Sequence, residues 1–185
     1  VYGAEWYNNN RRMTNAAAAH NATLPFTRNV IGPMDYTPCT FTDSQNPHIT
    51  SDCHELALPI LFESGLQHMA DRPEAYLGLP EPVKKLLSGL PSAWDDTRLL
   101  AGYPGQSAVI ARRSGDTWYI AGINGTEGEI ILEPDYSRIG QDVTLSMLIT
   151  DKGDKPGMGF DIRKNERAGK LTLPARGGFV AIVTK

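Results

Sequence analysis

The sequence lacks several features that would assign it to a specialised class of protein. Only two of its 185 residues are cysteines, too few for a disulfide framework and without the spacing of a metal site. Its 18 Lys and Arg against 21 Asp and Glu give a net charge of −3, which argues against nucleic-acid binding. No apolar run approaches the roughly 20 residues that a membrane helix needs, so no membrane span is expected. The opening run, Val1 to Asn10, is polar and aromatic, unlike the apolar core of a secretory leader.

Two parts of the chain differ in composition. All four histidines and nine of the thirteen prolines lie in residues 1–95, whereas thirteen of the eighteen glycines lie in residues 96–185. Such a shift favours a boundary between two units near residue 95. Both units together fit the size range of one large or two small domains.

Residues 96–185 have the pattern of an all-β domain. Short alternating apolar runs recur between glycine-rich turns, and Asn124-Gly125 is a strong hairpin signal. Seven or eight strands in about 90 residues predict an antiparallel β-sandwich. The pattern predicts that four residues of one strand share a face: Val143, Leu145, Met147 and Ile149. No residue of this part suggests catalysis, so it is interpreted as an accessory domain.

Residues 1–95 alternate short apolar runs with helical patterns. Leu24 to Thr27 and Asn29 to Gly32 are typical of short buried strands. Asp52 with Glu55 has the spacing of a capping box, which predicts a helix kinked near Pro59 and continuing through Met69. A strand, a polar loop and a helix form the repeating unit of a (β/α)8 barrel, which needs about 200–250 residues. We therefore expect either a small α+β domain or the C-terminal part of a barrel enzyme, and the start without methionine favours the second.

Three polar residues of this part are candidates for chemistry. Glu5 stands beside Trp6 and Tyr7, and packing against these rings would favour the protonated carboxyl that a general acid needs. His20 could donate a hydrogen bond to a substrate hydroxyl, and Asp35 lies in a proline-bracketed loop suited to a barrel's active face. Each has a structural alternative: an exposed loop acid, a hydrogen-bonding histidine of the fold, and an Asx turn.

Other polar residues have sufficient structural explanations. Glu55 is explained by helix capping, and His68 by a position near the end of the long helix, where a cation is favourable. Cys39 and Cys53 enclose a short loop and could form a disulfide in an oxidising compartment, or remain free.

Several long strings of the sequence resemble glycoside hydrolase family 97, whose members include bacterial α-glucosidases and α-galactosidases. In residues 1–95 these are Leu24-Pro25-Phe26-Thr27-Arg28, Gly32-Pro33-Met34-Asp35-Tyr36-Thr37-Pro38 and the run from Gly65 to Tyr76, which is similar to the family's last barrel helix. In residues 96–185 they are Gly102-Tyr103-Pro104-Gly105, Ala108 to Arg112 and Asp116 to Tyr119. Gly3-Ala4-Glu5-Trp6-Tyr7-Asn8 and Phe62-Glu63-Ser64-Gly65 look closer to the retaining α-galactosidase branch.

The resemblance implies a fold and a function. Residues 1–95 would be the C-terminal part of a (β/α)8 barrel, and residues 96–185 a C-terminal antiparallel β-sandwich domain. Glu5 matches the family's general acid/base, which also touches a calcium ion whose other ligands would lie upstream. His20 matches a histidine just before the Leu24 to Arg28 string, which implies a substrate contact, and Asp35 matches a position of the family's motif without a role that the resemblance transfers. Both are predicted to bind substrate. The partners would be an α-galactoside or oligosaccharide and the upstream remainder of a periplasmic or secreted enzyme, with no nucleic acid.

Two alternatives stay open at this point. One is an inverting α-glucosidase of the same family, and the other is a non-catalytic carbohydrate-binding or packing module. Trp118 and Tyr119 lie on opposite faces of one predicted strand, so one of them should be buried, which leaves a poor sugar platform. Residues 1–185 alone are expected to be inactive, because the carboxylate nucleophile that a retaining mechanism requires would lie upstream.

Overall fold

The structure is a computed structural model, and it describes residues 3–43 and 45–184. Within these ranges, six α-helices precede eight β-strands. The helices are α1 Ala4–Asn9, α2 Arg11–Thr23, α3 Arg28–Ile31, α4 Asp52–Leu61, α5 Pro73–Leu77 and α6 Glu81–Ser88. The strands are β1 Asp96–Tyr103, β2 Ser107–Ser114, β3 Thr117–Asn124, β4 Ile130–Leu132, β5 Thr144–Asp151, β6 Phe160–Arg167, β7 Leu171–Leu173 and β8 Gly178–Thr184. The chain beyond residue 95 is therefore antiparallel β-structure, as the alternating pattern predicts.

Six of the strands form one antiparallel sheet in the order β1-β2-β3-β8-β5-β6. Consecutive strands pair through short turns at one edge, and Ser114 opposes Thr117 across the tight turn between β2 and β3. β8 lies between β3 and β5, pairing with both. Of the strands in this sheet, β8 is thus the farthest from β3 in sequence and yet lies beside it in the middle of the sheet.

One face of the sheet packs under a two-stranded sheet formed by β4 and β7. Trp118, Ile120 and Phe179 point to this side and are buried with Leu132 and Leu173 of the small sheet. Trp118 is therefore a core residue, and Tyr119, on the opposite face, packs edge-on against Trp94 with ring centroids 5.4 Å apart. Neither ring forms an exposed platform.

The other face of the sheet packs against the helices. Leu56 and Ile60 of α4 are fully buried with Ile110, Ile123 and other residues of the sheet in one apolar core. Apolar burial of this kind contributes about 1.5–3 kcal/mol for each large side chain. Because both parts of the chain share this core, α4 has a fixed place on the sheet. The division at residue 95 stays a prediction.

Polar contacts fix the two ends of α4 on the β-domain. At its first turn, the Asp52 carboxylate accepts hydrogen bonds from the backbone N–H groups of Gly157 and Gly159 at 3.0 and 2.8 Å. A Cβ atom on Gly178 would lie 2.7 Å from backbone atoms of Cys53 and His54, so β8 approaches this turn as only glycine allows. At the other end, the buried guanidinium of Arg112 contacts the last carbonyl groups of the helix.

The two strands predicted before residue 33 are wrong. Residues Leu24–Phe26 form a 3-10 helix and Arg28–Ile31 a short α-helix, while Val30 and Ile31 are 71% and 85% exposed. Pro25 suits the first turn of a helix, and Thr27 Oγ1 donates to the carbonyl oxygen of Thr23, so the chain continues the helical course of α2. No barrel strand is formed by these residues.

Both ends predicted for the long helix are also wrong. Ser51, not Asp52, is the N-cap, because its Oγ accepts from the backbone N–H of His54. Glu55 is not a capping residue: its carboxylate accepts from Thr50 Oγ1 and from the backbone N–H of Thr40. The helix ends at Leu61, so the run from Gly65 to Tyr76 is a loop followed by α5 rather than one barrel helix.

The prediction that Val143, Leu145, Met147 and Ile149 share one face of a strand is wrong in part. Val143 and Leu145 pack toward the two-stranded sheet, whereas Met147 and Ile149 pack toward the helices. The change of side falls at Ser146, whose Oγ donates to the Ile182 carbonyl and which is passed over in the pairing of β5 with β6.

Two further predictions concern the cysteines and the membrane. Cys39 and Cys53 are both buried and free, so they form no disulfide. None of the helices described here is long and apolar enough to cross a membrane.

Candidate active site

Glu5 lies in the first turn of α1, a helix of six residues that needs tertiary contacts to form. The start of α1 is held by residue 37: the Ala4 N–H donates to Thr37 Oγ1 at 2.7 Å and to the Thr37 carbonyl at 3.1 Å. Ala4 and Tyr7 face the interior, while Glu5 is exposed. Local geometry therefore directs the Glu5 carboxylate outward from a firmly anchored turn.

The loop around Asp35 is held beside the chain that follows α4. Tyr36 and Gln67 form an isolated parallel bridge, and the His68 N–H donates to the Tyr36 carbonyl at 3.2 Å. As a result, His68 Nε2 lies 3.6 Å from Asp35 Oδ1, with the two side chains 58% and 72% exposed. Asp35 thus presents a carboxylate to solvent rather than folding it into its own turn.

These elements surround an open cleft of about 470 Å³. Its lining residues are Gly3, Glu5, Trp6, Asp35, Tyr36, Thr37 and His68. Two carboxylates, one imidazole and an indole that is 52% exposed therefore face a common space. Acids that can exchange protons or accept hydroxyl hydrogen bonds, beside an aromatic ring, are groups that suit a sugar substrate.

The structure brings together two of the three predicted site residues. Glu5 and Asp35 line the same cleft, and His20 is not among its lining residues. Glu5 is exposed and is not enclosed by Trp6 and Tyr7 as expected from sequence, because neighbouring residues on a helix point to different sides. Trp6 lines the cleft, whereas the Tyr7 ring is buried beneath α1.

His20 belongs to a polar cluster beneath the cleft. Its Nδ1 lies 2.7 Å from the Tyr7 hydroxyl, and burial lowers the pKa of the ring to about 4, so it is neutral at pH 7. Asn21 Oδ1 accepts from the hydroxyls of Tyr7 and Tyr36 at 3.1 and 2.7 Å, and Asn21 Nδ2 lies 3.1 Å from His54 Nε2. This cluster is named here the Asn21 cluster: Tyr7, His20, Asn21, Tyr36 and His54.

His54 is a fully buried member of the Asn21 cluster. Burial lowers the pKa of its ring to about 3, and its Nδ1 has no hydrogen-bond partner among the residues that the structure describes. Because Asn21 Oδ1 already accepts from two tyrosines, its amide nitrogen is the donor to His54 Nε2. The neutral ring therefore carries its proton on Nδ1.

Two features of the site were missed from sequence. His68 was interpreted as a helix-end residue, but no helix covers residue 68, and its ring faces Asp35 in the cleft. The Asn21 cluster was missed because α1 and α2 were not predicted. The run of four alanines ending at Ala19, with Asn10 as an N-cap that accepts from the Arg12 N–H, is the signal that could have identified α2.

A metal site is not completed by the residues described. Among residues 3–43 and 45–184, no group of three or more His, Cys, Asp or Glu side chains could hold a metal ion. Calcium takes six to eight oxygen ligands, and carboxylates are its usual protein donors. The exposed Glu5 carboxylate fits calcium by donor chemistry, but it could supply only one or two of those ligands.

Comparison with known proteins identifies the family. Residues 93–184 match the family model described as "Glycosyl-hydrolase 97 C-terminal, oligomerisation". Over 98% of its length the chain is 43% identical to a probable retaining alpha-galactosidase of Streptomyces bingchenggensis, of which it covers 28%. The chain belongs to glycoside hydrolase family 97. Over 86% of its length it is also 30% identical to a retaining alpha-galactosidase of Bacteroides thetaiotaomicron, of which it covers 26%.

Solved structures agree with this family. A beta-arabinopyranosidase superposes on 97% of the chain with a TM-score of 0.81 at 28% identity, the chain covering 30% of it. A family 97 enzyme from Pseudoalteromonas sp. strain K8, solved with acarbose, superposes on 90% of the chain with a TM-score of 0.73 at 26% identity, the chain covering 28% of it. The chain thus spans under a third of the length of each of these four proteins.

Proposed function

We propose that this chain is the C-terminal segment of a retaining α-galactosidase in which Glu5 is the general acid/base. The observation that carries the proposal is the exposed Glu5 carboxylate on an anchored helical turn, facing a cleft shared with Trp6 and Asp35. Two curated relatives named as retaining alpha-galactosidases support the reaction class. Residues 1–95 would form the last part of a (β/α)8 barrel whose other strands lie outside this chain.

In this proposal Glu5 acts in both steps of a double displacement. It first donates its proton to the glycosidic oxygen as the leaving group departs and a carboxylate nucleophile attacks the anomeric carbon. It then takes a proton from the water that hydrolyses the glycosyl-enzyme. The nucleophile would lie about 5–5.5 Å from Glu5, as retention requires, and would come from outside residues 1–185.

Asp35 and His68 would bind the sugar on the other side of the cleft. A carboxylate accepts hydrogen bonds from sugar hydroxyls, and a histidine 3.6 Å from it can donate to or accept from an adjacent hydroxyl. Trp6 would supply an apolar face for a pyranose ring. A substrate contact by His20 stays a prediction, since its Nδ1 is hydrogen-bonded to the Tyr7 hydroxyl beneath the cleft.

A calcium ion at Glu5, with its other ligands outside this chain, is part of the proposal. Bound calcium would supply positive charge beside the cleft. We also propose that the enzyme is bacterial and is periplasmic or secreted.

The decisive test is Glu5→Gln in the full-length enzyme. For an α-galactoside with an unactivated leaving group, kcat/KM should fall by about 10²- to 10⁴-fold, because such a leaving group needs a proton donor. For 4-nitrophenyl α-galactoside, which needs little protonation, kcat/KM should change little. Azide should restore kcat and form an α-galactosyl azide, since it can attack the galactosyl-enzyme without a general base.

The alternatives predict different results in the same assays. An inverting enzyme would form no galactosyl-enzyme, so azide would not yield an azide of retained configuration. Parallel assays with α-glucoside and β-arabinopyranoside substrates identify the sugar. Equal losses of kcat/KM on both leaving groups would overturn the role of Glu5. A non-catalytic module is disfavoured by the burial of Trp118 and the packing of Tyr119 on Trp94.

A further inference from the structure

The side chain of Asn21 connects three elements of the fold. It is fully buried in α2, and it bonds Tyr7 of α1, Tyr36 of the Asp35 loop and His54 of α4. Two of these elements carry a residue of the cleft, Glu5 and Asp35. The third, α4, is fixed on the β-sheet at both ends, so it provides a rigid reference for the other two.

Other contacts also hold the Glu5 helix, since Thr14 Oγ1 donates to the Tyr7 carbonyl and Asn46 donates to the Asn8 carbonyl. α1 has six residues, and its N-terminus is bound to Thr37. The next interior residue of α1 after Ala4 is Tyr7, which lies two positions beyond Glu5. The Tyr7 hydroxyl donates to Asn21 Oδ1. Glu5 therefore lies between two anchoring points, and at the second one the Tyr7 hydroxyl contacts both the Asn21 amide and His20.

The pairing within the cluster is directional. The amide can satisfy two hydroxyl donors with Oδ1 and the unprotonated His54 Nε2 with Nδ2 only in one orientation. Three hydrogen bonds of the Asn21 side chain favour one arrangement of its partners, and removing that side chain would take a hydrogen-bond partner from buried polar groups. An apolar side chain at position 21 could fill the space, but it could not fix the positions of Tyr7, Tyr36 and His54 relative to one another.

We propose that Asn21 is a positioning residue for the general acid: through the Tyr7 hydroxyl it fixes α1, and with it the direction of the Glu5 carboxylate relative to the cleft. The inference rests on the proposed function of Glu5. Proton donation requires the acid to lie within hydrogen-bond reach of the leaving oxygen, and a displacement of about 1 Å can cost a factor on the order of 10² in rate.

The test compares leaving groups in the full-length enzyme carrying Asn21→Ala or Tyr7→Phe. Each variant should lower kcat/KM by about tenfold or more on an unactivated α-galactoside and by less than about threefold on the 4-nitrophenyl substrate. A merely structural defect would lower both values equally. Tyr76→Phe is the matched control, since its hydroxyl donates to the Cys39 carbonyl at 3.0 Å outside the Asn21 cluster, and it should leave the ratio unchanged.

A double variant tests whether Asn21 acts through Tyr7. If it does, Asn21→Ala combined with Tyr7→Phe should be no more impaired than the worse single variant. Additive losses, or a loss that is independent of the leaving group, would overturn the proposal. If Asn21→Ala fails to fold, as judged by circular dichroism, Tyr7→Phe against Tyr76→Phe tests the anchoring of α1 by the Tyr7 hydroxyl, and an unchanged ratio in Tyr7→Phe overturns the proposal.

The outcome separates this inference from the proposed function. Should Glu5→Gln show the leaving-group dependence while folded Tyr7→Phe does not, Glu5 remains the acid and the positioning role of Asn21 is wrong. Should Glu5→Gln itself show no leaving-group dependence, the acid role fails first, and Asn21 has no acid to position.

Discussion

The Arg112 side chain of β2 donates from its Nε to the Ile60 carbonyl at the C-terminal end of α4, over a distance of 2.6 Å. Its Nη2 donates to the Leu61 carbonyl at 3.0 Å, and Nη1 to Thr97 Oγ1 at 2.9 Å. The last carbonyls of a helix have no partner within the helix and carry partial negative charge. A buried guanidinium therefore replaces the missing partners and fastens α4 to the sheet.

Replacing the Arg112 guanidinium, which bonds both the Ile60 and the Leu61 carbonyl, is expected to destabilise the fold. Arg112→Lys keeps the positive charge but can bond only one of the two carbonyls well, so we expect a loss of about 2–4 kcal/mol in the free energy of unfolding. The neighbouring Arg113 is the matched control because it is partly exposed, and Arg113→Lys should change stability by less than about 0.5 kcal/mol. Urea unfolding of both variants measures the difference. If Arg112→Lys and Arg113→Lys were equally stable, the role of Arg112 in fastening α4 to the sheet would be contradicted.

The buried histidine of the Asn21 cluster predicts a pH dependence of stability. His54 has a pKa of about 3 in the folded protein, against about 6.5 when unfolded. Between these values the unfolded state binds more protons, so this contribution is fully present above pH 6.5 and is lost as the pH falls toward 3. Lowering the pH from 7 to 5 should therefore cost about 2 kcal/mol through His54 alone.

The corresponding measurement is urea unfolding at pH 7 and pH 5. In His54→Gln the loss of stability between these pH values should be smaller than in the parent by about 2 kcal/mol. Should both proteins lose the same stability, His54 would not be a neutral buried group in the folded state.

Trp6 is expected to contribute to substrate binding rather than to the chemical step. In the full-length enzyme, Trp6→Ala should raise KM about 5- to 20-fold with little change in kcat, because an aromatic face contributes on the order of 1–2 kcal/mol to a contact. Tyr103→Ala is a suitable control variant, since Tyr103 is 66% exposed and is not among the residues that line the cleft. Steady-state kinetics with an α-galactoside measure both variants. A fall in kcat with constant KM would contradict the binding role.

The β-domain could be predicted from sequence because its signals are local. Alternation with a period of two located β2, β3, β5 and β8, and Gly177-Gly178 marked the start of the last strand. Even here, the change of side at Ser146 was not visible, since it depends on the pairing with β6 rather than on the sequence of β5 itself.

The helical part was less predictable because tertiary contacts determine it. Leu66 and Met69 continue a helical spacing, yet the helix ends at Leu61. There Arg112, which lies 51 residues further along the chain, donates a hydrogen bond to the Leu61 carbonyl. Glu5 and Asp35 were found as candidates from their local strings and the family resemblance. Their meeting in one cleft, the facing His68 and the Asn21 cluster depend on contacts between residues far apart in sequence.

The central position of β8 has a consequence for synthesis on the ribosome. Until Gly178–Thr184 emerges, β3 and β5 each present an unpaired edge, and no strand pairing joins the two halves of the large sheet. Exposed strand edges attract other chains, so nascent molecules would depend on chaperones or on rapid completion of translation until this strand inserts.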